Sequence, residues 1–275
     1  MTGIFDTDKS RITDRVQVNI PFSWLMDKTA GWMEIFVENR LNPEIGLDSE
    51  ALDRHTASEF ASAAKRFHDI GRSITLHGPF LDLSPGSPDT AIRSVTRQRL
   101  EQMIEAAEIF SPLTVVCHCG YDESRYGFIR NAWYERAAEI WKHTARRLAE
   151  KNILLMLENV YEKDPDEIGR MFEITAEENT GCCLDIGHLC VFSRRPLKDW
   201  IKRLSPYIGQ VHLHDNRGQS DEHMGMGLGS IDFAPLFDWL RGLRKTPVIT
   251  LEPHDSAALA ASISYLEKQD FFATA

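Results

Sequence analysis

Apolar runs of strand length alternate with longer amphipathic stretches along this 275-residue chain. The runs are VQVNIPF (16–22), WMEIFVE (32–38), SITLHGPF (73–80), LTVVCHCG (113–120), ILLMLENV (153–160), CCLDIGH (182–188), QVHLHDN (210–216) and VITLEPH (248–254). Between them, apolar spacing of helical period predicts helices at about 51–70, 89–110, 131–151, 165–178, 196–204, 232–244 and 256–268. In the 89–110 stretch, Ile92, Val95, Leu100, Met103, Ile104, Ala107 and Phe110 fall near one face, and Pro88 and Pro112 punctuate its ends. Strands alternating with helices imply right-handed crossovers and a parallel sheet. Eight such units at this length predict a single (β/α)8 barrel, a TIM barrel spanning 1–275, with its site at the C-terminal face of the strands. An open doubly wound sheet is the rival, but it would gather ligands at one switch point. Segments 39–50, 81–88, 120–130 and 216–230 read as the long irregular loops of that face.

From residue 73 onward the ends of these runs carry metal-type ligands: His77, His118, Glu158, Asp185 with His188, His212 with His214, and Glu252. An unpaired carboxylate closing an apolar strand, as in LLMLE or VITLE, is costly to desolvate and requires a cation, a proton or several donors. Alternation places His118 on one face and Cys117 and Cys119 on the other, so the two cysteines are expected to pack outward under helices rather than bind metal. His212 and His214 share a face. In Asp185-x-x-His188 the histidine lies about one turn beyond the aspartate, so the two are expected to serve neighbouring metals. The loop after the seventh run adds Asp221 and His223, one residue apart. Gly225, Gly227 and Gly229 follow, where backbone can approach closely, but no strand immediately precedes them, so a dinucleotide-binding turn is not supported.

Composition narrows the setting. Net charge is −10, from 31 basic and 41 acidic residues, so duplex DNA is not favoured as a partner on charge alone. Five cysteines, four of them inside apolar runs, suit a reduced, cytoplasmic protein better than a disulfide scaffold. The segment MTGIFDTDKSRITDR has no signal-peptide character, and no run is long enough for a membrane span.

HGPF, the histidine of the fourth strand, LEN, LDIGH, HLHDN, D-x-H with G-x-G-x-IDF, and LEPH together resemble the xylose isomerase-like TIM-barrel superfamily, from about residue 73 to 254. That superfamily includes the endonuclease IV family and many sugar isomerases and epimerases. The resemblance implies three zinc ions. His77 and His118 would hold the first with Glu158, which bridges to the second. Asp185, His212 and Glu252 would complete the second, and His188, Asp221 and His223 would hold the third. Sugar epimerases of the group use mainly one metal, on the equivalents of Glu158, Asp185, His212 and Glu252. The complete nine-residue set favours hydrolysis of a phosphoester. HGPFLDL and LENVYEKDP are closer to the sugar-isomerase-like members, which favours a small substrate over DNA.

The expected function is therefore a metal-dependent phosphodiester hydrolase using two or three divalent ions, zinc in preference and manganese as the alternative. Such ions, roughly 3.5–4 Å apart, clamp the attacking and leaving oxygens of a phosphoryl group. Glu158, Asp185 and Glu252 are the candidate catalytic carboxylates. Asn159, His214 and Asp215 are candidates to contact substrate or to orient the ligands through hydrogen bonds, Arg217 is a candidate substrate contact, and Tyr121, Arg125 and Tyr126 are expected at the surface. The expected partner is a small phosphorylated or sugar-like metabolite, the nucleotide loop of a cobamide being one candidate implied by the superfamily. The alternative is a sugar or sugar-phosphate isomerase or epimerase with one metal and paired glutamates; an abasic-site DNA endonuclease ranks below it. A barrel that only binds a ligand would leave the nine ligands without a use. Oligomeric state is not legible.

Overall fold

A computed structural model describes residues 10–175 and 179–269. Eight parallel strands close into a barrel in sequence order, β1 (Gln17–Pro21), β2 (Asn42–Gly46), β3 (Thr75–His77), β4 (Thr114–His118), β5 (Leu154–Glu158), β6 (Thr180–Asp185), β7 (Ile208–Leu213) and β8 (Val248–Leu251), with β8 pairing back to β1. The helices around it are α1 (Ser10–Thr13), α2 (Phe22–Met26), α3 (Trp32–Glu38), α4 (Ser49–Arg54), α5 (Ala57–Asp69), α6 (Thr90–Phe110), α7 (Glu123–Tyr126), α8 (Arg130–Ala149), α9 (Pro165–Ile174), α10 (Ile186–Phe192), α11 (Leu197–Leu204), α12 (Ala234–Arg241) and α13 (Ser256–Lys268). No helix among the described residues is long and apolar enough to cross a membrane.

The expected second strand is wrong. WMEIFVE is the helix α3, which buries Met33 and Phe36 one turn apart. The true β2 is NPEIG, whose proline, glutamate and glycine hide its strand character. It lies within the 39–50 stretch expected as loop. The helix expected at 51–70 is two helices: His55 is extended, and Thr56 opens α5 with a reciprocal capping box to Glu59. The 165–178 helix ends at Ile174, and 176–178 lie outside the described residues. The 120–130 stretch holds α7 and a 3-10 turn at Gly127–Ile129.

The main apolar core lies between the strands and the helix ring, and it includes Cys117, Cys119 and Cys182. All five cysteines are free. Inside the barrel, Val116, Met156 and Cys183 form a small apolar cluster on one side. The opposite side is polar. There the buried Glu44 carboxylate accepts hydrogen bonds from Thr75 (3.0 Å), Thr250 (3.0 Å) and Gln210 (2.5 Å), and Gln210 accepts one from Thr114 (2.7 Å). Two residues further along their strands, inward-facing positions become His77, His118, Glu158, Asp185, His212 and Glu252, because alternate residues share a face.

The segment after β3 is held down at several points. Ser84 and Tyr126 hydroxyls bond at 2.9 Å, Ser84 N–H donates to Thr96 Oγ1 at 3.1 Å, and Arg93 donates to the Ser87 carbonyl at 2.5 Å. Gly86 lies flat on the fully buried Trp133 ring, and a Cβ there would fall within the indole. Gly86→Ala is therefore expected to cost about 1–3 kcal/mol, read from the urea midpoint; an unchanged midpoint would show that this loop gives way freely.

Candidate metal centre

Six strand ends, α10 and the loop after β7 bring the nine expected ligand residues into one connected site. Its potential ligand atoms form three groups, each with all members within 4.8 Å: His77, His118 and Glu158; Glu158, Asp185, His212 and Glu252; and His188, His214, Asp221 and His223. Glu158 joins the first two. One of its oxygens stands 3.1 Å from His77 Nε2 and 3.4 Å from His118 Nε2, and the other 3.2 Å from His212 Nδ1. Asp185 links the second and third, with Oδ2 3.9 Å from His212 Nδ1 and Oδ1 3.3 Å from His214 Nε2. Asp221 Oδ2 lies 3.2 Å from His188 Nε2 and 3.1 Å from His223 Nε2.

Local structure explains the third group. β6 ends at Asp185, whose side chain accepts the His188 backbone N–H at 2.6 Å and so caps α10. That cap turns His188 back over the barrel mouth. Asp215 organises the following loop by accepting backbone N–H groups from Asn216, Gly227, Gly229 and Ile231. His223 adopts a positive φ of 48° within this loop. It stacks on His214 (centroids 3.9 Å apart) and on His254 (4.3 Å), giving three nearly parallel imidazoles.

Four of the remaining ring nitrogens are committed elsewhere. His77 Nδ1–H donates to the Gly78 carbonyl (3.0 Å), His188 Nδ1–H to the Asn159 carbonyl (2.9 Å) and His223 Nδ1–H to the Glu252 carbonyl (3.2 Å). His212 Nε2 faces Glu44 at 3.0 Å. Each bond fixes a tautomer that turns the other nitrogen's lone pair into the site. Meanwhile Asp185 Oδ2, His212 Nδ1, His214 Nε2 and Asp221 Oδ1 have no hydrogen-bond partner although buried. Imidazole and carboxylate atoms left orphaned at one place fit a divalent cation such as zinc.

Without a cation the groups must compensate one another. Against the cost of burial, the charge of His212, 3.2 Å away, and the hydrogen bond with His77 hold the Glu158 carboxyl well below its usual range. Burial likewise opposes ionisation of Asp221 and Glu252, yet neighbouring imidazoles depress both. Burial pushes His118 down to about 3. His188 and His212 rise despite burial because of the surrounding carboxylates, and His223, beside Asp221, rises to about 9.

A cavity of about 470 Å³ lies above the groups, lined by His77, His118, Glu158, His188, Asp221, His223 and Glu252. Asn19 and Asp48 stand on one side, and Phe80, Tyr161 and Phe192 on the other. The four candidate substrate contacts lie elsewhere. Asn159 brackets Asp185, accepting its N–H at 2.9 Å and donating to its carbonyl at 3.1 Å. Asp215 is consumed by the loop, Arg217 pairs with Glu222 at the surface (2.7 Å), and His214 sits beneath the cavity among the third group. Tyr121 and Tyr126 are buried rather than superficial. Glu44 escaped the sequence reading because its strand did, although a glutamate between prolyl and isoleucyl residues was visible. His254 was visible in LEPH, but its stacking depends on a distant loop.

Glu44→Gln would present an amide N–H either to His212 and Asn19, which face Oε1, or to Thr75, Gln210 and Thr250, which donate to Oε2. Apparent zinc affinity, read by competition with a chelator, is expected to fall about 10–100-fold; unchanged affinity would rule out Glu44 as an orienting group. A second expectation follows from the raised imidazoles. A group whose pKa is raised by folding contributes stability below its unfolded value and loses that contribution as pH passes its folded value. The metal-free protein should therefore lose thermal stability between about pH 6.5 and 9 as His223 deprotonates, with His188 and His212 acting in the same direction. Zinc should reverse the trend, because it binds the deprotonated rings. A flat melting temperature across this window in metal-free protein would contradict the charge assignment.

Known proteins place the chain in context. The relatives include the uncharacterized protein MJ1311 of Methanocaldococcus jannaschii, 28% identical over 193 residues, which are 65% of this chain and 64% of that protein. A probable endonuclease 4 of Mycobacterium leprae is 26% identical over 175 residues, 58% of this chain and 65% of the enzyme. The chain thus spans just under two thirds of both. Among solved structures, the TTHB071 protein from Thermus thermophilus, soaked with ZnCl2, superposes with TM-score 0.76 at 27% identity, covering 93% of this chain and 98% of that one. A D-tagatose 3-epimerase-like protein superposes with TM-score 0.75 at 21% identity over 94% and 97% of the two chains, a likeness of fold. The family model described as "Xylose isomerase-like TIM barrel" matches residues 28–269. With its closed eight-stranded barrel and its match over most of its length, the chain belongs to the xylose isomerase-like TIM barrel family.

Proposed function

We propose that the protein is a metal-dependent phosphoester hydrolase acting on a small phosphodiester. The observation that carries this reading is the third ligand group, His188, His214, Asp221 and His223, joined through Asp185 and Glu158 to the other two. A single-metal reaction has no use for it. All nine expected ligands belong to these groups, with His214 as a tenth. The likeness to endonuclease 4 points to the same class of chemistry, and the zinc-soaked Thermus protein makes zinc the first metal to try.

The charge around the cavity supports the same conclusion. No lysine or arginine is among the residues lining it, whereas Asp48, Glu158, Asp221 and Glu252 are. An anionic ester would be repelled there unless cations came first. Bound divalent ions would supply charge neutralisation and Lewis acidity at the phosphoryl group. The chain's own part is positioning. Glu158 and Asp185 tie neighbouring ligand groups to a common geometry, and Glu252 Oε1, 3.1 Å from His212 Nδ1, completes the middle group. Phe80, Tyr161 and Phe192 screen one side from water, which strengthens electrostatic interactions inside.

A second reading rests on the middle group alone. Glu158 and Glu252 flank His212 Nδ1 at 3.2 and 3.1 Å and both line the cavity. They are placed to pass a proton between adjacent carbons of a ketose held by one metal.

Zinc- or manganese-loaded protein is expected to hydrolyse bis(p-nitrophenyl) phosphate and to lose that activity on chelation. Asp221→Ala should remove one metal ion per chain by elemental analysis and lower the rate roughly 10–100-fold. Fully loaded protein that cleaves no phosphoester, but exchanges a ketose C–H with deuterated water, would replace the hydrolase with the epimerase.

A further inference from the structure

Phe80 is 47% exposed at the mouth of the barrel and lies outside the apolar core. Its ring is turned toward the first ligand group instead. It lies nearly flat on His118, with centroids 4.4 Å apart and 25° between the planes, and it meets His77 edge to face at 5.6 Å. His77 and His118 are themselves edge to face at 5.1 Å, so the three rings close a triangle. The backbone that carries Phe80 is fixed on both sides. The Gly78 N–H donates to the Val116 carbonyl of β4 at 2.7 Å, Pro79 limits rotation, and the Leu83 N–H donates to the Phe80 carbonyl at 3.2 Å.

His118 needs such a support. The last torsion of a histidine is broad, so an imidazole keeps its lone pair on one point only when something fixes the ring. Six imidazoles belong to the ligand groups. His77, His188, His212 and His223 each have their second nitrogen held by an oxygen. His118 and His214 have no such bond among the described residues. Both are stacked face to face instead, His214 on His223 at 3.9 Å and His118 on Phe80 at 4.4 Å. Stacking thus stands where the hydrogen bond is missing. A phenyl ring fixes the plane of an imidazole, and it has no lone pair of its own to compete for a cation.

We propose that Phe80 is a positioning residue: by stacking on His118 it aims Nε2, which stands 3.4 Å from the shared carboxylate Glu158, at the cation of the first ligand group. The proposal rests on the multi-metal reading, since a lone ion in the middle group uses neither His77 nor His118. Its rival is a substrate contact, because Phe80 also lines the cavity.

Zinc titrated into metal-free protein against a chromophoric chelator tells these apart. The wild type is expected to bind two or three ions, and His118→Ala identifies the first by releasing it. Phe80→Leu keeps an apolar side chain but removes the flat face. It should weaken that same ion roughly 3–10-fold and leave the others unchanged. Phe80→Tyr should keep wild-type affinity, and Phe80→Leu added to His118→Ala should weaken the remaining ions no further. With two or three ions bound to the wild type, Phe80 loses this role if Phe80→Leu leaves every affinity unchanged, if Phe80→Tyr shares its loss, or if all ions weaken together. Unchanged affinities with a raised KM for bis(p-nitrophenyl) phosphate make it a substrate contact. A wild type that binds a single ion, retained in His118→Ala, overturns the multi-metal reading and this proposal with it.

Discussion

Glu158, Asp185 and Glu252 are removed almost wholly from water at the mouth of the barrel with imidazoles packed against all three, and those imidazoles hold the Glu158 and Glu252 carboxyls well below their usual range. Isolated carboxylates in that position would take up protons or unfold the strand ends that carry them. The imidazoles arrive from other strands and loops, so the charge balance of the site and the closure of the barrel depend on each other. Atoms that remain unpaired, such as Asp185 Oδ2 and His212 Nδ1, show where this balance is incomplete without a cation.

Beneath that layer, Glu44 has a different part. It accepts from threonine and glutamine side chains of β3, β7 and β8 and faces His212 from below. One carboxylate thus ties the polar half of the barrel interior to the ring whose other nitrogen meets Glu158 and Glu252. The polar contacts continue upward through Asn159, whose side chain grips both backbone groups of Asp185. The ligands are rigid because the groups behind them are hydrogen-bonded, which is the condition for a site built before its substrate arrives.

The three imidazoles His214, His223 and His254 illustrate a different dependence. They come from the end of β7, the loop after it and the end of β8, and they stack only because Asp215 folds that loop through four backbone N–H groups. Gly229 is required there, since a Cβ would collide with the Asp215 carboxylate. Of the two roles the sequence left open for Asp215, touching substrate or orienting ligands, the structure shows it holding the loop that brings Asp221 and His223 to the site.

The alternation of apolar runs and helical stretches was enough to define a parallel barrel, because burial on both faces gives every strand but β2 an apolar signature and the long helices a periodic one. Alternation within strands was enough to put His118 inside and Cys117 outside. The ligand-bearing strand ends could be read because polar residues closing apolar runs are rare. What the chain alone left undecided was set by contacts between distant residues. NPEIG is a strand because β1 and β3 supply its partners on both sides, while WMEIFVE is a helix because only two of its apolar side chains, Met33 and Phe36, find a buried surface. Asn159 and Asp215 could have contacted substrate or oriented ligands, and only their folded neighbours decide for the second, while Arg217 is taken up by Glu222.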